Sequence, residues 1–302
     1  MRQRDTGKIV IEVGMNETAA RTEHPSIPFT PEEVATDAVA CAQAGAAVVH
    51  FHARADDGSQ TFTSDDHYRR TMEAVATVAD VEYYPSYYGS HAHVWALLES
   101  PPVGAPLHFA PLDVIQHDLA LLTWDEGRSA FGRFAIAAES SEEPGNPPAV
   151  RSLVDAGLIP SIAIFEFGDL RWAVCAARAG VLPQPISVKL FLNGAWVKGP
   201  VPSVEALDVL LAQIPDDVEA DVTVVPYGMA HEAAIEPLLR AAIERRVNIR
   251  VGIGDNPRAH VGRRNADLVA WAADLVRGHG LEPAGASHVR DRFGLQPAMT
   301  AR

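Results

Sequence analysis

The chain has 302 residues, of which 47% are hydrophobic and 21% charged, so it can bury a large core and lacks the composition of a disordered protein. Its 39 acidic and 25 basic side chains give a formal charge of −14 at pH 7, which disfavours nucleic-acid and membrane-surface partners. Cys41 and Cys175 stand at no metal or disulfide spacing, and no long apolar segment precedes the first strand. We therefore expect a cytoplasmic protein without a membrane span.

Strand and helix patterns alternate from the N-terminus onward. The apolar run at residues 9–14 predicts a first strand. Residues 30–33 (TPEE) then predict a helix start, with threonine as N-cap, proline at the first helical position and glutamate three residues after the cap. This helix would end near Gly45, before a second strand at residues 46–54. Such an order with short connections is typical of parallel β/α units.

The remaining strands are predicted at residues 81–84, 107–110, 131–138, 160–165, 186–192, 222–225 and 248–252. These make nine candidates, one more than a closed eight-stranded barrel needs. We assign 131–138 to an excursion after the fourth strand, because the neighbouring residues 140–148 are rich in turn-forming types. No internal repeat or long linker is evident. We therefore predict a single (β/α)8 TIM barrel domain over residues 1–302, with a C-terminal helical extension that acts as a cap or an oligomer surface.

The second strand carries a candidate metal site. Alternation in a strand puts His50, His52 and Arg54 on one face, and neutral imidazole is a favoured ligand of zinc and other divalent metals. An isolated H-x-H pair is more often a pair of hydrogen-bonded core histidines. A second pair, His91 and His93, stands at a helix start, where residues two apart point in different directions. We interpret that second pair as surface or capping residues.

Other chemistry-bearing residues would converge with these histidines at the C-terminal ends of the barrel strands. Glu12 lies inside an apolar run, where a carboxylate is costly unless it is paired, metal-bound or facing solvent. Arg250 can hold a carboxylate in two parallel hydrogen bonds, and Asp255 can transfer protons. Metal, guanidinium and acid together suit chemistry on a keto acid. Residues 250–256 lack the third glycine of a dinucleotide-binding loop.

Four segments resemble the β-keto acid cleavage enzymes: EVGMN at 12–16, PFTPEE at 28–33, AGAAVVHFHAR at 44–54 and RVGIGDN at 250–256. The resemblance spans about residues 8–295. It implies a zinc-dependent (β/α)8 barrel, usually a homotetramer, that condenses a β-keto acid with acetyl-CoA and releases acetoacetate and a new CoA ester.

By position, the resemblance implies that His50 and His52 bind the metal and that Arg250 and Asp255 are catalytic. Ser86 would correspond to a substrate-contacting hydroxyl. Asn16 and Tyr88 are further candidates for contact with the substrate.

Two motifs differ from the family's usual pattern. The glutamate that normally precedes Asp255 and serves as third metal ligand is Gly254 here, and residues 160–166 retain only the final acid, Glu166, of a P-E-x-E-x-F-D motif. Two histidines leave a catalytic zinc underligated, since such sites normally have three protein ligands. We expect Glu12 or Asp255 to complete the set, with Glu12 as the assigned ligand; weak binding or absence of the metal are the alternatives.

Two other functions fit the same residues. The first is a metal-assisted carbon–carbon lyase or hydrolase that acts on a keto acid without CoA. The second is a degenerate barrel that binds a small carboxylate without catalysis, which would account for the missing glutamates.

Overall fold

The computed structural model describes residues 6–61, 64–86, 91–114, 122–133 and 148–296. The strands in these ranges are β1 (Lys8–Ile9), β2 (Ile11–Gly14), β3 (Val48–Phe51), β4 (Glu82–Pro85), β5 (Phe109–Asp113), β6 (Leu122–Asp125), β7 (Ala130–Arg133), β8 (Ile159–Ile164), β9 (Ile186–Asn193), β10 (Ala220–Tyr227), β11 (Asn248–Val251) and β12 (Glu282–Pro283). The helices are α1 (Pro31–Ala44), α2 (Asp65–Val78), α3 (Ala92–Glu99), α4 (Pro148–Asp155), α5 (Phe167–Arg178), α6 (Val204–Ala212), α7 (Glu232–Glu244), α8 (Asn265–Gly278) and α9 (Ala286–Phe293). None of these helices combines the length and hydrophobicity that crossing a bilayer requires.

Eight parallel strands form the central sheet, in the spatial order β4-β3-β2-β11-β10-β9-β8-β5. The two end strands of this order, β4 and β5, lie beside each other, so the sheet curls into a nearly closed barrel. Helices alternate with these strands along the chain, from α1 after β2 to α8 after β11. The predicted (β/α)8 TIM barrel is therefore confirmed, and the C-terminal ends of its strands are where such barrels build their sites.

The excursion after the fourth barrel strand contains an antiparallel hairpin of β6 and β7 that lies outside the barrel sheet. Trp124 faces Phe131 across this hairpin, with ring centroids 5.3 Å apart. Residues 131–133 of the predicted 131–138 strand belong to β7, and the remainder lies outside the described residues. Because β7 pairs with β6 rather than with the barrel, this candidate strand adds nothing to the barrel sheet.

Helix α1 begins and ends as its sequence predicts. The Thr30 hydroxyl accepts a hydrogen bond from the N–H of Glu33 (3.2 Å), and the Glu33 carboxylate accepts one from the N–H of Thr30 (3.0 Å). Pro31 occupies the first turn, and Gly45 ends the helix in the left-handed conformation. This helix fixes where β3, and with it the histidine pair, enters the barrel.

Alternation along the strands separates two faces of the barrel. Val49, Leu190 and Ile249 point outward and are fully buried in the core between the strands and the helices. Their neighbours Lys189 and Arg250 point inward, since both contact Glu12 across the lumen. The barrel interior is consequently charged rather than apolar.

The C-terminal extension lies across the N-terminal ends of the barrel strands. Phe293 of α9 packs edge-on against Phe109 at the start of β5, with ring centroids 5.2 Å apart. Arg290 forms an ion pair with Glu82 at the start of β4 (3.0 Å), and Arg292 binds Glu219 just before β10 (2.9 Å). Helix α9 therefore covers this end of the barrel.

His91 and His93 are both buried, with 6% and 1% of their surfaces exposed, so the interpretation as surface residues is wrong. His91 is the N-cap residue of α3, as the capping alternative has it, but its side chain forms no capping hydrogen bond. A ring nitrogen of His91 lies 2.8 Å from the carbonyl oxygen of Pro111, and one of His93 lies 3.0 Å from that of Ser86. Backbone acceptors at the ends of the neighbouring strands thus allow both imidazoles to enter the interior.

Candidate functional site

His50 and His52, from β3 and the residues just after it, meet Glu17 from the loop after β2. Nε2 of His50 lies 3.2 Å from one Glu17 carboxylate oxygen, and Nε2 of His52 lies 3.1 Å from the other. All three side chains are buried, and their ligand atoms lie within 4.8 Å of one another. Tetrahedral zinc with bonds of about 2.0–2.2 Å separates its ligand atoms by roughly 3.3–3.6 Å, so this donor set fits a divalent metal.

The protonation states of this cluster also suit a metal. Burial outweighs the attraction of Glu17 and lowers the pKa of His50 to about 3, so the imidazole is neutral. Its Nδ1 lies 3.2 Å from the carbonyl oxygen of Tyr84 and donates to it, which presents the Nε2 lone pair to the cluster. Burial opposes ionisation of Glu17, but the Arg250 guanidinium holds the pKa of this carboxyl well below its ordinary value. Neutral imidazole and ionised carboxylate are the forms that bind metals.

The backbone of Glu17 is held in an uncommon conformation, with φ of 40° in the left-handed region. Arg54 stabilises it, because its guanidinium donates to the carbonyl oxygens of Glu17 (2.8 Å) and Ala19 (2.9 Å). The Gln60 amide donates to the Glu17 carbonyl as well, at 3.0 Å. Strain at a candidate ligand that several hydrogen bonds support is typical of a functional position.

Asn16 ties the β2 loop to β3. Its amide nitrogen donates to the carbonyl oxygens of Pro28 and His52, both at 3.0 Å, and its amide oxygen accepts from the N–H of His52 at 2.8 Å. The side chain is fully buried. Asn16 thereby fixes the spacing between Glu17 and the histidines, while its contact with substrate stays a prediction.

Gly254 lies directly against this loop. A Cβ atom at position 254 would stand 2.7 Å from the backbone N and C of Asn16 and 2.8 Å from the backbone N of Glu17. Only glycine allows so close an approach. Glycine at position 254 therefore replaces the expected glutamate and also leaves room for the loop that carries Glu17.

Arg250 and Asp255 form a buried bidentate pair. Nε of Arg250 donates to one Asp255 oxygen at 3.0 Å, and Nη2 donates to the other at 2.6 Å. Nη2 also donates to Glu17. Burial, with a smaller contribution from the Glu17 charge, outweighs the attraction of Arg250 and raises the pKa of Asp255 to about 7. The guanidinium thus joins the ligand cluster to an acid that can exchange a proton near neutral pH.

Glu12 lies deeper in the barrel. It accepts hydrogen bonds from the Tyr84 hydroxyl (2.6 Å), from Nη1 of Arg250 (3.1 Å) and from the Lys189 ammonium. Burial opposes its ionisation, but Lys189 and Arg250 outweigh that effect and lower the pKa of Glu12 to about 2. Among the described residues, the cluster of metal-ligating groups contains Glu17 and not Glu12. The prediction of Glu12 as third ligand thus has no support from this geometry, because Lys189 and Arg250 already neutralise that carboxylate.

Ser86 follows β4 and is buried, with 1% of its surface exposed. Its hydroxyl forms a hydrogen bond with the phenol of Tyr68, a residue of α2, whose ring stacks on His93 at 4.8 Å between centroids. Burial raises the pKa of Tyr68 to about 12, so the phenol remains protonated. The other predicted substrate contact in this segment, Tyr88, lies outside the described residues.

Sequence reasoning missed Glu17, Lys189 and Tyr68. Glu17 gives a signal in hindsight, because it follows the first strand at the edge where the other candidates converge. Lys189 and Tyr68 give none, since neither belongs to a motif and only the closed barrel brings them to the site.

Fold and site together define a (β/α)8 barrel with a buried carboxylate–histidine cluster beside an Arg–Asp pair at the C-terminal ends of its strands. The profile of the beta-keto acid cleavage enzyme family matches residues 8–295, and the chain belongs to this family.

Two curated relatives match over nearly the whole chain. The 3-dehydrocarnitine:acetyl-CoA trimethylamine transferase of Rhizobium meliloti (strain 1021) is 25% identical over 300 residues, covering 93% of this chain and 94% of the relative. The 3-keto-5-aminohexanoate cleavage enzyme of Fusobacterium nucleatum subsp. nucleatum is 24% identical over 296 residues, covering 96% and 98%. Among solved structures, apo ObcA resembles the barrel with a TM-score of 0.63 and 17% identity, covering 90% of this chain and 66% of that chain. This last likeness shows the fold.

Proposed function

We propose that the protein is a β-keto acid cleavage enzyme that uses zinc or another divalent metal. In the proposed reaction, the bond between the α- and β-carbons of a β-keto acid breaks, the acetyl group of acetyl-CoA joins the α-carbon to give acetoacetate, and the remaining acyl group leaves as a CoA ester. The observation that carries the proposal is the convergence of Glu17, His50 and His52 beside Arg250 and Asp255. Family membership and the names of the relatives, which include acetyl-CoA and a keto acid, support it.

Each residue has a proposed role. A divalent metal bound by Glu17, His50 and His52 would supply a Lewis acid for the β-keto oxygen. Arg250 would bind the substrate carboxylate or activate the thioester, while Asp255 orients the guanidinium and carries a proton at a pKa that suits the task. Asn16, Ser86 and Tyr88 remain proposed substrate contacts.

Arg250 has a second effect on the cluster. Its guanidinium contacts the carboxylates of Glu12, Glu17 and Asp255, and Lys189 also pairs with Glu12, so three carboxylates share two buried cations. Excess negative charge beside the histidines favours a divalent cation there. We also propose that the protein acts as a homotetramer.

Metal content and acetyl-CoA dependence test the proposal. Purified protein should contain about one metal per chain, and Glu17→Gln should lose it, because an amide is a poor ligand. Glu12→Gln is the matched control, since it also neutralises a buried carboxylate in contact with Arg250 but should retain the metal. Retention of metal by both variants would exclude Glu17 as a ligand.

Turnover separates the proposal from its two alternatives. Keto acid cleavage that requires acetyl-CoA and stops in a chelator is the expected result. Cleavage without acetyl-CoA would favour a lyase or hydrolase, and a protein with neither metal nor turnover would favour a carboxylate-binding barrel.

A further inference from the structure

Four aromatic side chains form a continuous surface at the C-terminal ends of β8, β9 and β10. Phe165 lies 4.8 Å from Phe191 and 5.3 Å from Trp196, measured between ring centroids. Tyr227 lies 5.7 Å from Phe191 and 5.4 Å from Trp196. Each ring therefore contacts two of the others. We call these four residues the aromatic wall.

The aromatic wall faces the barrel lumen. Phe191 shares its strand face with Lys189, whose ammonium contacts Glu12 inside the barrel. Tyr227 shares its face with Thr223, a partner of the same ammonium at 3.4 Å. Since Phe191 and Tyr227 follow these inward-pointing residues toward the C-terminal ends of their strands, they line the lumen toward its mouth.

The aromatic wall is continuous with the candidate site. The Tyr227 phenol forms a hydrogen bond with the side chain of Thr18, the residue after Glu17. The N–H of Gly228 donates to the carbonyl oxygen of Asp255 at 3.0 Å. A substrate whose keto group lies at the Glu17 cluster therefore has this surface within a few bond lengths.

The wall is preformed. The N–H groups of Ala195 and Trp196 donate to the Asn193 side chain at 2.7 and 2.8 Å, which fixes the turn that carries the indole. The same loop reaches β8 at Gly199, where φ is +98° and a Cβ atom would collide with the carbonyl oxygen of Phe165. Trp196 is nevertheless 51% exposed, so its ring has a face to offer a ligand.

The first two acids after Phe165 in the chain are already engaged. The carboxylate of Glu166 forms an ion pair with Lys198 at 3.0 Å. The carboxylate of Asp169 accepts from the N–H groups of Phe165 and Glu166 at 2.9 and 3.1 Å. Neither acid is left to neutralise a cationic ligand, and the Lys198 ammonium stands nearby.

We infer that the aromatic wall binds the distal substituent of the keto acid and selects an uncharged alkyl or aryl group over an ammonium. Ring faces stabilise hydrocarbon by contact area. They also attract an ammonium, by about 0.5–1 kcal/mol at an exposed site, but that ammonium would have to lose hydration beside the Lys198 ammonium. This inference rests on the proposed function, because it assumes that the reacting end of the substrate lies at the Glu17 cluster.

A substrate panel tests the inference. We expect kcat/KM to rise from 3-oxopentanoate through 3-oxooctanoate to 5-phenyl-3-oxopentanoate, and to be lower for 5-amino-3-oxohexanoate than for 3-oxohexanoate. Trp196→Ala should lower kcat/KM for the phenyl substrate roughly 10-fold, through KM, and should lower kcat/KM for 3-oxopentanoate far less, because its ethyl group contacts less of the wall. Trp271→Ala is the matched control, since this half-buried tryptophan of α8 packs against Arg263, away from the aromatic wall. Phe191→Leu provides a second variant of the wall.

The outcomes distinguish failure of the inference about the aromatic wall from failure of the proposed function. The inference is overturned if the protein turns over 3-oxopentanoate but Trp196→Ala lowers kcat/KM equally for every substrate. It is also overturned if the ammonium substrate is preferred. Either result leaves the proposed function standing. If no keto acid is turned over, the proposed function fails. Calorimetric titration with 5-phenyl-3-oxopentanoate then tests the role of the aromatic wall in binding. Weaker binding to Trp196→Ala than to the wild-type protein supports that role, and equal binding overturns it.

Discussion

Gly254→Ala adds one methyl group where the loop after β11 contacts the loop that carries Glu17. The added Cβ atom would stand 2.7 Å from two backbone atoms of Asn16, whereas ordinary contact begins at 3.4 Å, so the loop must retreat by about 0.7 Å (3.4 − 2.7). Metal–ligand distances tolerate deviations of about 0.2 Å, and such a shift exceeds that tolerance. We expect zinc affinity to fall roughly 10–100-fold, as when a supporting residue of a metal site is lost.

The same substitution should reduce the free energy of unfolding by about 1–3 kcal/mol, the usual cost of overpacking. Isothermal titration with zinc and scanning calorimetry of the metal-free protein measure the two effects separately. Gly278→Ala is the control, because a Cβ atom there meets nothing within 4 Å. Wild-type zinc affinity in a destabilised Gly254→Ala protein would refute Glu17 as a ligand. No change in either quantity would refute the tight contact.

Two further predictions concern buried charge. Lys189→Met should lower the free energy of unfolding by about 3–5 kcal/mol in urea titrations at pH 7, because it removes a cation that neutralises Glu12. The double variant Lys189→Met/Glu12→Gln should lose less than the sum of the two single losses, because the two side chains interact. Strict additivity would show that the two side chains do not stabilise each other. Burial lowers the pKa of His260 from 6.5 to about 4, so the unfolded chain binds the proton more tightly than the folded one. The free energy of unfolding should therefore fall as pH drops from about 6.5 to 4, by at most roughly 3 kcal/mol. The slope of unfolding free energy against pH in this window should be smaller in His260→Gln, and an unchanged slope would assign the effect to other groups.

Local signals in the sequence were sufficient for the framework of this fold. The TPEE start of α1 carries its capping box within four residues, and period-2 alternation puts the imidazoles of His50 and His52 inside the barrel. Both follow from interactions between near neighbours in the chain. The same holds for the excursion after the fourth barrel strand, whose hairpin closes on itself.

The identity of the carboxylate beside the histidines depends on distant contacts. Glu12 and Glu17 lie five residues apart, and either would satisfy a pattern that needs an acid at the end of the first strand. Lys189 distinguishes them by pairing with Glu12 from 177 residues away. No local pattern indicates which strand of a barrel will supply a cation to which carboxylate. The burial of His91 and His93 was missed as well, because it depends on backbone acceptors at Pro111 in β5 and at Ser86 just after β4.

Helix α9 has a kinetic consequence for a reaction with two substrates. Because Phe293, Arg290 and Arg292 cover the N-terminal ends of the strands, molecules reach the Glu17 cluster from the opposite end of the barrel. In the proposed reaction, a keto acid that binds beside this cluster would then enter before acetyl-CoA, and the product formed deepest would leave last. The order of binding and release in that reaction would thus follow from a barrel that is open at one end.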